Sequence, residues 1–147
     1  MHIEIREAAF DALDELQRYQ QNEVSQTFSG KYGAMCNFIG SMRDINEGAA
    51  VESMSLEHYP EMTQKVLTEI CDVAMLHWDL LDILLIHRVG DIHIDDNIVL
   101  IGVWSMHRGD AFEACRYLIE TLKARAPFWK QETTAEGARW VEKNTPS

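Results

Sequence analysis

The chain lacks most of the features that would assign it to a common class. It has three cysteines in 147 residues, Cys36, Cys71 and Cys115. The number is odd and no pair has CxxC spacing, which argues against a disulfide framework and fits a reducing compartment. Each cysteine reads more simply as a small buried apolar residue than as a nucleophile. Cations are scarce: 13 Lys and Arg stand against 24 Asp and Glu, a formal charge of −11. A surface of that sign disfavours nucleic acid and anionic membranes as partners. No apolar run approaches the ~20 residues of a membrane-spanning helix. The opening Met1-His2-Ile3-Glu4-Ile5-Arg6 is short, alternating and charged, unlike a secretory leader. The chain therefore reads as cytoplasmic and soluble. GxGxxG, Walker, GxSxG and HExxH signatures are missing as well, which disfavours the usual nucleotide-binding and hydrolase chemistries.

What is present suits one domain spanning residues 1–147. Hydrophobic residues make up 46% of the chain, enough for a packed core. Alternation predicts a strand at His2–Arg6, and Phe10, Leu13 and Leu16 predict a helix over 9–22. Residues 23–31 read as a loop. Tyr32–Arg43 reads as a strand with a bulge at Gly40, and 44–48 as a turn. Val51–Tyr59 follows as a strand with Met54, Leu56 and His58 on one face. Pro60 suits the first turn of the next helix, whose buried stripe is read as Met62, Val66, Ile70, Val73 and His77. Asp82–Val89 and Ile98–Met106 are buried strands joined by a polar hairpin over 90–97. Asp110–Ala126 is a helix, with Phe112, Cys115, Ile119 and Leu122 on one side and Pro127 as its stop. Phe128–Glu132 is a short strand. Thr133-Thr134-Ala135-Glu136 has capping-box spacing, which predicts a last helical turn through Trp140. Strands and helices mix without a βαβ beat, so the class is α+β.

Four local groups could carry chemistry. Lys123 and Lys130 lie seven residues apart, with Pro127, Phe128 and Trp129 between them. A lysine against an apolar wall loses hydration and its pKa falls, and a second cation pushes the same way. On spacing alone, a helix end with solvated lysines is the plainer reading. Gly40-Ser41-Met42-Arg43 ends a strand, where an arginine fork can meet a phosphate or carboxylate. Ser105-Met106-His107-Arg108-Gly109-Asp110 joins a strand to a helix start, a place that attracts anions. Asp110 also reads as the N-cap. Asp91-Ile92-His93-Ile94-Asp95-Asp96 alternates acid and histidine, but hairpin composition explains it better than a metal does. His58, His77 and His87 read as packed, hydrogen-bonded histidines.

Taken in order, these pieces resemble the catalytic large subunit of molybdopterin synthase. The matching stretches are Gly33-Ala34 through Phe38, Gly40 and Arg43, Leu56-Glu57-His58-Tyr59-Pro60-Glu61-Met62, and His87-Arg88-Val89-Gly90. They continue with Ser105-Met106-His107-Arg108, Ala111-Phe112, Leu122 through Glu132, and Gly137-Ala138-Arg139-Trp140-Val141. The resemblance implies an α/β-hammerhead type of α+β fold and a homodimer of large subunits. It implies a small ubiquitin-like subunit at each end, whose C-terminal Gly-Gly thiocarboxylate gives sulfur to cyclic pyranopterin monophosphate. No cofactor or metal of the protein's own is implied. Lys123 matches the family lysine nearest the chemistry, and Lys130 matches a second one that stabilises developing negative charge. Arg43, His107 and Arg108 match the set that holds the substrate phosphate, part of it expected from the other protomer. Ser41, Met42, Gln131 and Glu132 fall at pocket-lining positions, and Arg139 is placed to close the site. Ser41 stands where many relatives have a lysine, so one cation of the pattern is missing. The alternative from a different class is a binding module for a ubiquitin-like tail, with no chemistry of its own.

Overall fold

The computed structural model describes residues 1–46 and 48–141. Its elements run β1 (His2–Arg6), α1 (Ala12–Tyr19), a π-helical turn (Gln20–Val24), α2 (Ser25–Thr27), β2 (Ala34–Ser41), β3 (Ile45–Asn46), β4 (Ala49–His58) and α3 (Pro60–His77). They continue with β5 (Leu80–Arg88), β6 (Gly90–His93), β7 (Asn97–Ser105), α4 (Arg108–Arg125), β8 (Phe128–Thr134) and β9 (Gly137–Val141). Among the described residues the strands make two sheets. One has the order β1-β5-β7-β2. The other runs β3-β4-β8-β9, with β6 also paired to β4. β1 runs parallel to β5 and every other pairing is antiparallel.

The long apolar runs of β5 and β7 are explained by burial on both faces. Ile83 and Leu85 point with Ile101 and Val103 toward α3 and α4, where Leu67, Ile70, Leu118 and Leu122 close the main core. Leu84 and Ile86 point the other way with Leu100 and Trp104, against Ala12, Leu16 and Val24. A third cluster (Met42, Val51, Met54, Leu56, Val89 and Ile92) fills the space between β4, β6 and the end of β2. The chain passes from the first sheet to the second at Val89-Gly90.

Several elements differ from the sequence expectation, each for a local reason. The first helix starts at Asp11, whose carboxylate accepts the Leu13 and Asp14 amides at 3.0 and 3.2 Å. Helical structure continues through Thr27 instead of giving way to a loop at residue 23. The polar Gln20 is held in this helical stretch by accepting a hydrogen bond from Trp104 Nε1 at 2.9 Å. The buried side of α3 is Thr63, Leu67, Ile70, Cys71 and Ala74, while Met62 and Val73 are exposed. Two apolar stripes share Ile70, and the sheet covers the one shifted by a residue. On α4, Phe112 is exposed and the small Ala111 and Ala114 face the sheet beside Cys115 and Leu118. Asp110 lies inside that helix, and His107 occupies the cap position without a side-chain cap. The expected polar hairpin contains β6, which pairs with β4. The expected turn over 44–48 includes the two-residue β3, with Glu47 outside the described residues.

The last correction concerns Thr133–Glu136, which caps no helix. It forms the turn of a β8–β9 hairpin. Thr134 Oγ1 accepts the Glu136 amide at 3.2 Å and donates to the Gly137 carbonyl at 3.1 Å. Gly137 has φ +116°, a conformation that side chains resist. The same Ser/Thr chemistry that caps helices also builds turns.

Candidate active site

Three elements converge on a cavity of about 760 Å³ between the sheets, within the usual size of a small-molecule site. The end of β2 supplies Ser41 and Met42, followed by Arg43. The last turn of α4 supplies Lys123. β8 supplies Phe128, Lys130 and Glu132 on one face by strand alternation. Pro127 is what turns the chain between the two lysines: α4 ends at Arg125 and β8 begins at Phe128. The register places Leu56 opposite Lys130 and Met54 opposite Glu132, so apolar side chains of β4 flank the cationic group. Gly40 sits at the β2 bulge, where an added Cβ would meet Val99 Cγ1 at 2.9 Å and Phe38 Cε1 at 3.3 Å. The absence of a side chain keeps this wall of the cavity in place.

The electrostatics follow from burial and crowding. Burial lowers the Lys130 pKa to about 8. Lys123 and Arg43 push it down further, and Glu132 opposes them. Burial lowers the Lys123 pKa too, helped by Arg43 and opposed by Glu120. Glu132 is itself buried. It accepts from Asn46 Nδ2 at 2.6 Å and pairs with Arg139 Nη2 at 3.1 Å. Arg139 Nη2 also donates to the Asn46 carbonyl at 2.8 Å. This brace joins the β8–β9 hairpin to β3 at the edge of the cavity.

Of the residues expected at the site, the structure brings together Ser41, Met42, Arg43, Lys123, Lys130 and Glu132. Arg139 reaches it through Glu132. Gln131 points to the opposite face of β8 and does not line the cavity. His107 and Arg108 are exposed at the start of α4. Fifteen residues of helix separate Arg108 from Lys123, roughly 22 Å of axial rise, so they do not join this cavity within one chain. Phe128 is a cavity wall. Trp129 sits at the rim, edge-on to Tyr59 at 4.8 Å between ring centres, so the two aromatics do not form one slot.

Two polar cavity residues were not read as such from sequence. His87 is fully packed and hydrogen-bonded, as expected, but it also lines the cavity, stacked on Phe128 at 4.0 Å and 15°. Asn46 lines it from β3. Nothing in local spacing marks Asn46. The only sequence signal for His87 is its place in the His87-Arg88-Val89-Gly90 stretch. The Asp91–Asp96 segment forms a turn braced by Asp96, which accepts from His93 N at 3.0 Å and from Arg88 Nη1 at 3.4 Å. No helix among the described residues is long and apolar enough to cross a membrane.

An α+β scaffold that gathers an arginine and two pKa-depressed lysines in one half-apolar cavity, under an acidic exterior, defines a protein that handles a small anion. The family model described as "MoaE protein" matches residues 9–125. The molybdopterin synthase catalytic subunit of Ralstonia nicotianae is 49% identical over 140 residues, covering 95% of this chain and 76% of that one. The crystal structure of molybdopterin synthase from Staphylococcus aureus superposes with a TM-score of 0.81 at 31% identity, covering 95% of this chain and 96% of that chain. A complex of subunits 1 and 2 of the molybdopterin-converting factor from Helicobacter pylori shares the fold, with a TM-score of 0.79 at 21% identity and coverage of 97% and 92%. This chain belongs to the MoaE protein family.

Proposed function

We infer that this chain is the catalytic subunit of a molybdopterin synthase, an enzyme of molybdenum cofactor biosynthesis, working in the cytoplasm. It converts cyclic pyranopterin monophosphate to molybdopterin with sulfur from the C-terminal thiocarboxylate of a small ubiquitin-like subunit. Family membership and the names of its relatives support the activity. The Helicobacter complex of two subunits supports a small partner. The observation that carries the mechanism is the convergence of Lys123, Lys130 and Arg43 on one cavity.

The chemistry needs anion binding without quenching. The incoming tail and the substrate phosphate are both negative, and the planar fork of Arg43 can meet either one. Lys130, with a pKa near 8, can stabilise the oxyanion that forms when water adds to the tail's carbonyl; its collapse breaks the carbon–sulfur bond, leaving the sulfur on the pterin and the tail as a carboxylate. Lys123, on the last turn of α4, meets the tail's terminal carbonyl or exchanges a proton there. Ser41, Met42 and Glu132 shape the substrate side, and Arg139 holds Glu132 in place. His107 and Arg108 cannot reach this cavity from their own chain. They serve the cavity of a second protomer in a homodimer, where they help hold the phosphate.

The test is a sulfur-transfer assay with thiocarboxylated partner and pyranopterin substrate. Lys123→Ala should bind the partner yet form almost no dithiolene product. Normal turnover by that variant removes the mechanism, and partner binding by the wild-type protein without any transfer points to a binding module instead.

A further inference from the structure

The geometry points to His87 as a positioning residue for the lysine pair: its imidazole, held by a backbone carbonyl and stacked on Phe128, presents an Nε2 lone pair to the Lys130 ammonium. This rests on the sulfurtransferase reading of the cavity.

The position of the ring is set by three contacts. His87 is the next-to-last residue of β5, paired with Ile5 on one side and Val99 on the other, where the chain leaves one sheet for the other. Its Nδ1 lies 2.8 Å from the Arg88 carbonyl oxygen. A carbonyl can only accept, so Nδ1 carries the proton and Nε2 carries the lone pair. One face of the ring is stacked on Phe128 at 4.0 Å. Phe128 and Lys130 are two apart on β8 and project from the same face. Lys130 therefore projects into the cavity that the imidazole lines. His87 lines the same cavity as Lys130, and with the Nδ1 edge turned to the backbone, Nε2 is the ring nitrogen left to meet an ammonium there.

The surroundings keep this ring neutral. Burial depresses its pKa to about 4, and Lys130, Lys123 and His58 push the same way, against the Arg88 carbonyl. The titratable groups whose field reaches it are Lys130 from β8, Lys123 from α4 and His58 from β4. Arg43, Glu132 and Glu120 act on the two lysines in turn. The Arg88 guanidinium is occupied elsewhere, by the Glu7 and Asp91 carbonyls and Asp96. A neutral acceptor is what a crowded cationic cavity requires. It orients an ammonium without adding a fourth cation, and it favours the charged form that the transfer step uses.

The test compares His87→Gln with His87→Met, two flexible side chains of similar size of which one retains an acceptor. In steady-state sulfur transfer, His87→Met should lower kcat by about tenfold with KM little changed. Its alkaline activity limb should move to lower pH, because the ammonium loses an acceptor. His87→Gln should restore most of kcat and return the limb. A folded His87→Met enzyme with wild-type kcat and limb overturns the proposal. So does a folded His87→Gln enzyme as impaired as His87→Met, which would mean that only ring packing matters. Nitrogen NMR of the wild-type protein gives a check that needs no variant: a proton on Nε2 instead of Nδ1 also overturns it. If the wild-type protein transfers no sulfur, the functional reading fails, while the tautomer and the pH dependence of Lys130 acylation still decide the role of His87.

Discussion

Lys130 is held in the fold against its own preference. Its folded pKa of about 8 lies below the ordinary lysine value of 10.5. Between these two values the unfolded chain binds more protons than the folded one, so stability rises with pH across that window. Below about pH 8 the penalty for burying the ammonium is fully present. Lys130→Met keeps the apolar stem and removes the charge. It should raise stability at pH 7 by on the order of 1–2 kcal/mol, a figure discounted for partial solvent access. The gain over wild type should shrink between pH 8 and 10.5, as thermal melts at each pH will show. The same change should strongly reduce sulfur transfer, a trade of stability against activity. For the wild-type enzyme, kcat should fall as pH rises through about 8, because the cation that stabilises the transferring group is then lost. A flat rate profile from pH 7 to 9.5 would assign charge stabilisation to Arg43 alone. Arg43→Ala tests that residue separately and should raise KM for the phosphate-bearing substrate more than it lowers kcat.

At the level of elements, the cavity depends on a brace between two hairpins. Glu132 of β8 is buried and shared by Asn46 of β3 and Arg139 of β9. Arg139→Ala leaves that carboxylate buried with a single amide donor, which should cost about 1–3 kcal/mol in denaturant unfolding. The released negative charge should also raise the Lys130 pKa and move the alkaline activity limb upward, opposite to the shift expected for His87→Met. The hairpin that makes this brace was not legible in the sequence. Thr133 and Glu136 have helix-capping spacing, and only the positive φ at Gly137 and the pairing with β8 turn the segment into a strand. α3 shows a related ambiguity: both Met62-Val66-Ile70-Val73 and Leu67-Ile70-Cys71-Ala74 have helical spacing, and tertiary cover chooses the second. By contrast, β5 and β7 were plain from their unbroken apolar runs, and Pro127 was plain as the break that sets Lys123 against Lys130. The lysine pair and Arg43 were singled out by the ordered family resemblance, because spacing alone favoured solvated lysines at a helix end. His87 and Asn46 enter the cavity through sheet crossings that no local pattern encodes.

Over the whole molecule, the net charge of −11 and the cationic cavity work in opposition. The exterior repels anions in general, and the field of Arg43, Lys123 and Lys130 is focused in a partly apolar cleft. His107 and Arg108, at the head of α4, belong to a different part of the surface. Arg108 is roughly 22 Å along the helix from Lys123, so its proposed contact with substrate requires a second copy of the chain. Mixing inactive variants tests this. Lys123→Ala and Arg108→Ala homodimers should each be nearly inactive. If subunits exchange at random, half the dimers are mixed. In a mixed dimer one cavity has both defects, whereas the other combines an intact Lys123 with an intact Arg108 from across the interface. Activity should therefore recover to about one quarter of wild type. Were Arg108 to act within its own chain, each cavity of a mixed dimer would still carry one defect, and mixing would restore nothing. Native mass spectrometry of the same mixtures, with one variant isotope-labelled, would show whether exchange had taken place, and the absence of recovery in an exchanged sample overturns the contact across the interface.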